Sequence, residues 1–269
     1  MKHGWLLLAL SALLQVAHAR EPDDAARLLT DAIGKRELVL LGEMHGTREI
    51  PAMTAELVRR YARSGPVLLA LEADAGDQAR LDRFLDSGGG EHAKDALLGG
   101  THWQDAMHDG RDSVAMFELL EDARPLRASG ARVDVVLFDA AGAGDRDARM
   151  GRVLRNAIAA HPRARTLVLT GNVHAMTGAP MQMFTADGKA MALPETMGHH
   201  LADLAPLSVE IRAGEGDFWI CHARCGIAPV RNPRHVEAPS LTDNEGAGSW
   251  DLTLLIPRFS ASRPAIEAR

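Results

Sequence analysis

Aromatic residues make up only 4% of this 269-residue chain, and Tyr61 is its sole tyrosine. Base-stacking surfaces are built from aromatic side chains, so the scarcity argues against nucleic acid as a main partner. No basic run offsets it, and the formal net charge of −6 has the wrong sign for a phosphate-binding face. Cysteine is nearly absent as well: Cys221 and Cys225, in the segment CHARC, are the only two. A metal site with His222 would need two more well-placed ligands, so a Cys221–Cys225 disulfide is the expectation for an exported chain. Beyond the first twenty residues no apolar run approaches 18 residues, and no stable membrane insertion is expected.

The start of the chain supplies the compartment. Lys2 and His3 precede an apolar run from Trp5 to Leu14, and Ala17-His18-Ala19 follows. That is the layout of a signal peptide over residues 1–19, cleaved after Ala19, which predicts a periplasmic or secreted protein. No cysteine lies near the cleavage site, which argues against a lipid anchor. The remaining residues 20–269 are read as a single domain, and 46% hydrophobic with 25% charged residues is enough to bury a sizeable core.

Four short apolar runs alternate with helical patterns. Leu38 to Leu41, Pro66 to Leu71, Val133 to Phe138 and Thr166 to Leu169 read as buried strands. Asp23 to Lys35, Ile50 to Arg63, Gln78 to Leu85, Ser113 to Ser129 and Arg146 to Ala160 read as helices, with Pro125 expected to kink or end the fourth. Continuous rather than alternating apolar strands predict an α/β fold with a mainly parallel sheet flanked by helices. Leu207 to Ile211, Asp217 to Ile220 and Trp250 to Ile256 look like further strands that extend the sheet, antiparallel at its edge. Asn232 to Gly248 reads as a loop, and the tail after Pro257 as extended and exposed.

The chemistry gathers where these strands end. LVLLGEMHGT places Glu43 and His45 two residues apart, on one face of extended chain. TLVLTGNVHA repeats the pattern with Asn172 and His174. Glu72 and Asp139 end the other two runs. Ligands of open α/β sheets bind outside the carboxyl ends of the strands, so these groups are read as one shared site. Each has a plainer reading as a helix cap or a turn residue, and Asn172 as a group that orients His174. Two histidines and two carboxylates fit two chemistries: a bound divalent metal with a water, or a metal-free histidine or glutamate base.

The same residues resemble a known superfamily. Gly42-Glu43-Met44-His45 and Gly171-Asn172-Val173-His174 are similar to the paired G-x-x-H motifs of the Tiki/TraB proteins. The first motif, followed by a strand ending in Glu72, also resembles the haem-binding ChaN proteins and the erythromycin-esterase-like enzymes. Asp109-Gly110-Arg111-x-Ser113, Asp139, Arg146-Asp147 with Met150, and a late Pro-x-x-Ser-x-Ser resemble the ChaN-like branch. The Tiki branch implies a metal-dependent peptidase, with His45, His174 and Glu43 as ligands and Glu72 as a further acid. The esterase branch implies His45 as a base without metal. The ChaN branch implies haem binding for iron uptake, although this chain lacks a lipoprotein cysteine and its one tyrosine sits mid-helix. Arg111 and Arg146 match the family as cations that would face substrate or pair with an acid, and Asp139 and Asn172 are read as substrate-binding with them; each arginine closely follows an aspartate at a predicted helix start, where positive charge opposes the dipole, and a surface arginine paired with its neighbour is the plainer reading of Arg111. The methionines between 176 and 197 are expected to fill core rather than to form a lid or a haem site. The combined expectation is an exported hydrolase dependent on a divalent metal, cleaving a peptide or ester bond in a peptide or small-molecule substrate. The alternative is a periplasmic haem-binding protein.

Overall fold

A computed structural model describes residues 22–178, 182–184, 190–192, 194–221, 224–244 and 249–266. The expected signal peptide, His222 and much of the methionine-bearing stretch lie outside these residues. Helix α1 covers residues 22–33. There follow β1 (Leu38–Glu43), α2 (Glu49–Ala62), β2 (Val67–Asp74), α3 (Gln78–Leu85), α4 (Glu91–Leu98), α5 (Val114–Ala128), β3 (Val133–Asp139), α6 (Arg146–Ala160) and β4 (Arg165–Gly171). A two-stranded ribbon, β5 (Gln182–Phe184) with β6 (Ala190–Ala192), precedes β7 (Leu207–Cys221), β8 (Cys225–Pro229), β9 (Ser240–Asp243) and β10 (Leu252–Phe259).

The main sheet runs β3-β2-β4-β1-β7-β10-β9, with β8 paired to β7. The pairings of β1, β2, β3, β4, β7 and β10 with one another are parallel, and β9 closes the edge antiparallel to β10. The apolar runs become central strands because both faces are covered. Val39 and Leu41 pack with Ile50 and Leu57 of α2 and Leu119 of α5. Leu38 and Leu40 point the other way, against Phe138, Met150 and Leu154. Each such fully buried side chain contributes about 2 kcal/mol, which makes a one-residue slip of register prohibitive. The described methionine side chains of the 176–197 stretch, Met176 and Met197, are buried, Met197 within this second core.

Four expectations change. Leu207–Ile211 and Asp217–Ile220 are one long strand, β7. The segment read as a loop contains β9. Pro125 sits inside α5 without ending it, and the helix runs on to Ala128. The described part of the tail after Pro257 is extended but largely covered: β10 continues to Phe259, and Thr47 and Ser113 form bridges with Ala261 and Pro264. Phe259 and Ser262 are buried, and Ser262 Oγ accepts the Ala115 amide at 2.9 Å, which satisfies a donor at the start of α5.

Among the described residues no helix is long and apolar enough to cross a membrane. Cys221 and Cys225 form a disulfide at the tip of the β7–β8 hairpin.

Candidate active site

β1 and β4 are neighbours in perfect register, Glu43 opposite Gly171, so the two G-x-x-H segments leave the sheet side by side. Their continuations differ. After Glu43 the chain turns at Gly46, whose φ of 72° suits glycine. A side chain there would meet the Trp219 carbonyl at 2.3 Å. Gly110 (φ 102°) presses on the same turn, and a Cβ on it would lie 2.4 Å from the Gly46 amide nitrogen. The Gly46 carbonyl accepts the amides of Trp219 and Ser262 at 2.9 and 2.8 Å. Trp219 also donates its indole N–H to the His108 carbonyl at 2.7 Å. The β7–β8 hairpin and the C-terminal segment thus hold the loop that carries His45.

Glu72, buried at the end of β2, is the hub. Its Oε2 accepts the Thr170 hydroxyl at 2.7 Å and the Gly171 amide at 2.8 Å. Its Oε1 accepts Arg146 at 2.7 Å and Arg111 at 3.3 Å. Asp139 takes the same two guanidiniums, Arg111 at 3.0 Å and Arg146 at 2.6 and 3.1 Å. Asp109 adds a two-nitrogen contact to Arg111, at 2.9 Å from Nε and 2.8 Å from a terminal nitrogen. Burial opposes ionisation of Glu72, but His45, His174, Arg111 and Arg146 outweigh it and hold the carboxyl far below its usual range. The same balance, burial against carboxylates, keeps both arginines charged.

The two histidines occupy different positions in this network. His45 sets Nδ1 3.0 Å from Glu43 Oε1, and its Nε2 lies 4.0 Å from Glu72 Oε2, beyond hydrogen-bond reach. Burial works against a charged His45, but Glu43, Glu72 and Asp109 prevail and raise its pKa. His174 sits on a turn after β4. Its Nδ1 is 2.6 Å from Asp147 Oδ1, and its Nε2 is 2.9 Å from an Arg146 nitrogen. Arg146 has only donors, so Nε2 accepts and the proton rests on Nδ1, facing Asp147. Asp147 Oδ1 also accepts the Met197 amide at 2.7 Å, which ties the site to the segment after β6.

Glu43, His45, Glu72, Arg111, Asp139, Arg146 and His174 therefore all meet at one rim, as the strand ends imply. Asn172 takes part through its main chain: its amide bonds the Glu43 carbonyl at 3.0 Å and its carbonyl accepts Trp250 Nε1 at 2.8 Å. Reading along the chain did not single out Asp109, Asp147, Thr170 or Trp219 as site residues. Asp147 carries a signal, since an acid in the first turn of α6 beside Arg146 has a second use besides the helix dipole. Thr170 and Trp219 carry none.

The donor set does not suit a divalent cation. Both Glu72 oxygens are taken by protein donors, His174 Nε2 faces a guanidinium, and His45 Nδ1 faces Glu43. Among the described residues no three His, Cys, Asp or Glu groups converge as metal ligands. Haem fits no better: it needs an axial ligand over an apolar slot, and of the two site histidines the one unengaged ring nitrogen, His45 Nε2, lies 4.0 Å from the Glu72 carboxylate.

No protein-family model and no curated protein sequence matches the chain. Solved structures share its fold. An erythromycin esterase variant, EreC in its open conformation, aligns at TM-score 0.62 with 12% identity, over 90% of this chain and 95% of that one. A succinoglycan biosynthesis protein aligns at 0.64 and 12% identity, over 90% and 94%. A Bacillus cereus protein aligns at 0.61 and 13% identity, over 91% and 95%.

Proposed function

We propose that this chain, which shares its fold with an erythromycin esterase, is an exported hydrolase that cleaves an ester of a small organic molecule without a metal, with His45 as general base. The observation that carries this reading is the Glu43–His45 pair. Glu43 holds Nδ1–H and leaves Nε2 as the unengaged basic atom, 4.0 Å from the Glu72 carboxylate that also binds the Arg111 and Arg146 guanidiniums. Nε2 takes a proton from water as the water oxygen bonds to the ester carbonyl carbon. The carbonyl oxygen becomes an oxyanion that Arg111 and Arg146 are charged to stabilise. The carbon–oxygen bond to the leaving group then breaks, and that oxygen takes the proton back from the imidazolium. Glu72 and Asp139 hold the guanidiniums in place, and His174 braces Arg146. Export is supported by the leader-like residues 1–19 and the disulfide.

The test is hydrolysis of p-nitrophenyl esters by the full mature chain, assayed in EDTA and with added zinc or manganese. The expected result is turnover that survives EDTA and falls about 10³-fold in His45→Ala, within the usual range for loss of a general base. Turnover lost in EDTA and restored by metal would establish the metal-dependent reading in its place.

A further inference from the structure

A groove of about 610 Å³ lies just beyond the charged cluster. Met44, between Glu43 and His45 in the chain, and Asn172, directly after Gly171, line its near end. Phe218 and Phe259 give it apolar walls, and Arg212, Arg231 and Arg234 line it as well. Its one acid, Glu210, is buried and already paired with Arg212 at 2.9 Å. Arg231 and Arg234 are exposed and, among the described residues, have no acidic partner. Their segment is anchored on β7: Val230 donates to the Gly216 carbonyl at 2.8 Å and Arg234 to that of Gly214 at 2.6 Å. In a chain of net charge −6, two uncompensated cations on one apolar groove form a local anion-attracting patch.

We propose that this groove binds a small amphipathic anion, an apolar body carrying a carboxylate, sulfonate or phosphate, as the non-reacting end of the substrate. The size decides for a small molecule over a protein segment, since ligand pockets span about 300–1,000 Å³. Charge complementarity decides for an anion. That the ligand is a substrate end rests on the hydrolase reading; that the groove binds it does not.

Binding is tested on the full mature chain by fluorescence titration with 8-anilinonaphthalene-1-sulfonate, followed by competition. One saturable site is expected, displaced by decanoate and far less by decanol or decyltrimethylammonium. Arg231→Glu with Arg234→Glu should weaken the probe about tenfold, given a modest contribution from each exposed charge. The double lysine variant should retain binding, and thermal melts of both variants should match the parent. Equal binding by the glutamate variant, or equal competition by the cationic amphiphile, overturns the proposal. Charge-dependent binding without any His45-dependent hydrolysis sinks the hydrolase reading and leaves the groove assignment standing.

Discussion

The two G-x-x-H segments are alike in sequence and opposite in use. In the first, the residue two before the histidine is Glu43, a carboxylate at the strand end that holds the ring by its Nδ1 and leaves Nε2 open. In the second, the equivalent residue is Asn172, whose main chain joins the rim, and the ring is held by Asp147 of a different element. There Arg146 closes Nε2 as well. A histidine with one engaged nitrogen is equipped to move a proton; one with both engaged is a strut. What separates them is the partner, not the motif.

The sharpest way to break this comparison is to remove each ring. His45→Ala should cost about 10³-fold in kcat/KM, as loss of a base does, and His174→Ala about tenfold, as loss of a group that positions Arg146. Equal losses would make both histidines catalytic. On stability the largest effect should come from Glu72→Ala, which leaves two guanidiniums without their buried acceptor. About 3 kcal/mol is expected from breaking such a buried pair, read as a lower midpoint in chemical denaturation. Asp147→Asn should imitate His174→Ala in kcat while leaving the pH profile in place, since Asp147 only holds the tautomer.

A finer test uses pH. Glu43 raises the pKa of His45, and a base acts when neutral, so kcat/KM should climb with pH through a value above the ordinary 6.5. Glu43→Gln removes that charge and should move the limb to lower pH. The linkage has the matching sign. His45 contributes stability that is full below its unfolded pKa and lost as pH rises through the raised value, and Glu43→Gln should remove that slope. The smallest change is Gly171→Ala. Its added methyl would sit 3.0 Å from His45 Nε2 and 3.5 Å from His174 Cδ2. A displacement of a few tenths of an ångström should lower kcat about fivefold with little loss of stability, because reacting geometry tolerates displacement poorly.

Much of the sheet was legible beforehand, because a strand buried on both faces must be continuously apolar. Leu38 to Leu41 and Thr166 to Leu169 declared themselves that way. The rim was legible for a related reason: an ionisable group directly after such a run tends to be buried, and a buried charge must be partnered, as Glu72 is. The C-terminal part was harder. β9 is short and largely exposed at an edge, so little apolar patterning marks it. The Ser260–Ser262 segment is held by backbone bonds to the residue 46–48 turn, which side-chain character does not report. Nor does any local pattern announce that Trp219 fastens the Gly46 turn.

The sequence by itself determined the layers, the order of elements and the set of polar groups at the strand ends. These follow from local periodicity and from the cost of burying charge, both written into neighbouring residues. Only the tertiary structure decided how that set divides: Arg111, from the turn before α5, and Arg146, at the start of α6, both reach Glu72, Asp147 reaches His174 across 27 positions, and of the two site histidines His45 alone keeps a free nitrogen. Hydrogen-bond partners at such separations are chosen by packing in three dimensions, where distance along the chain carries no weight.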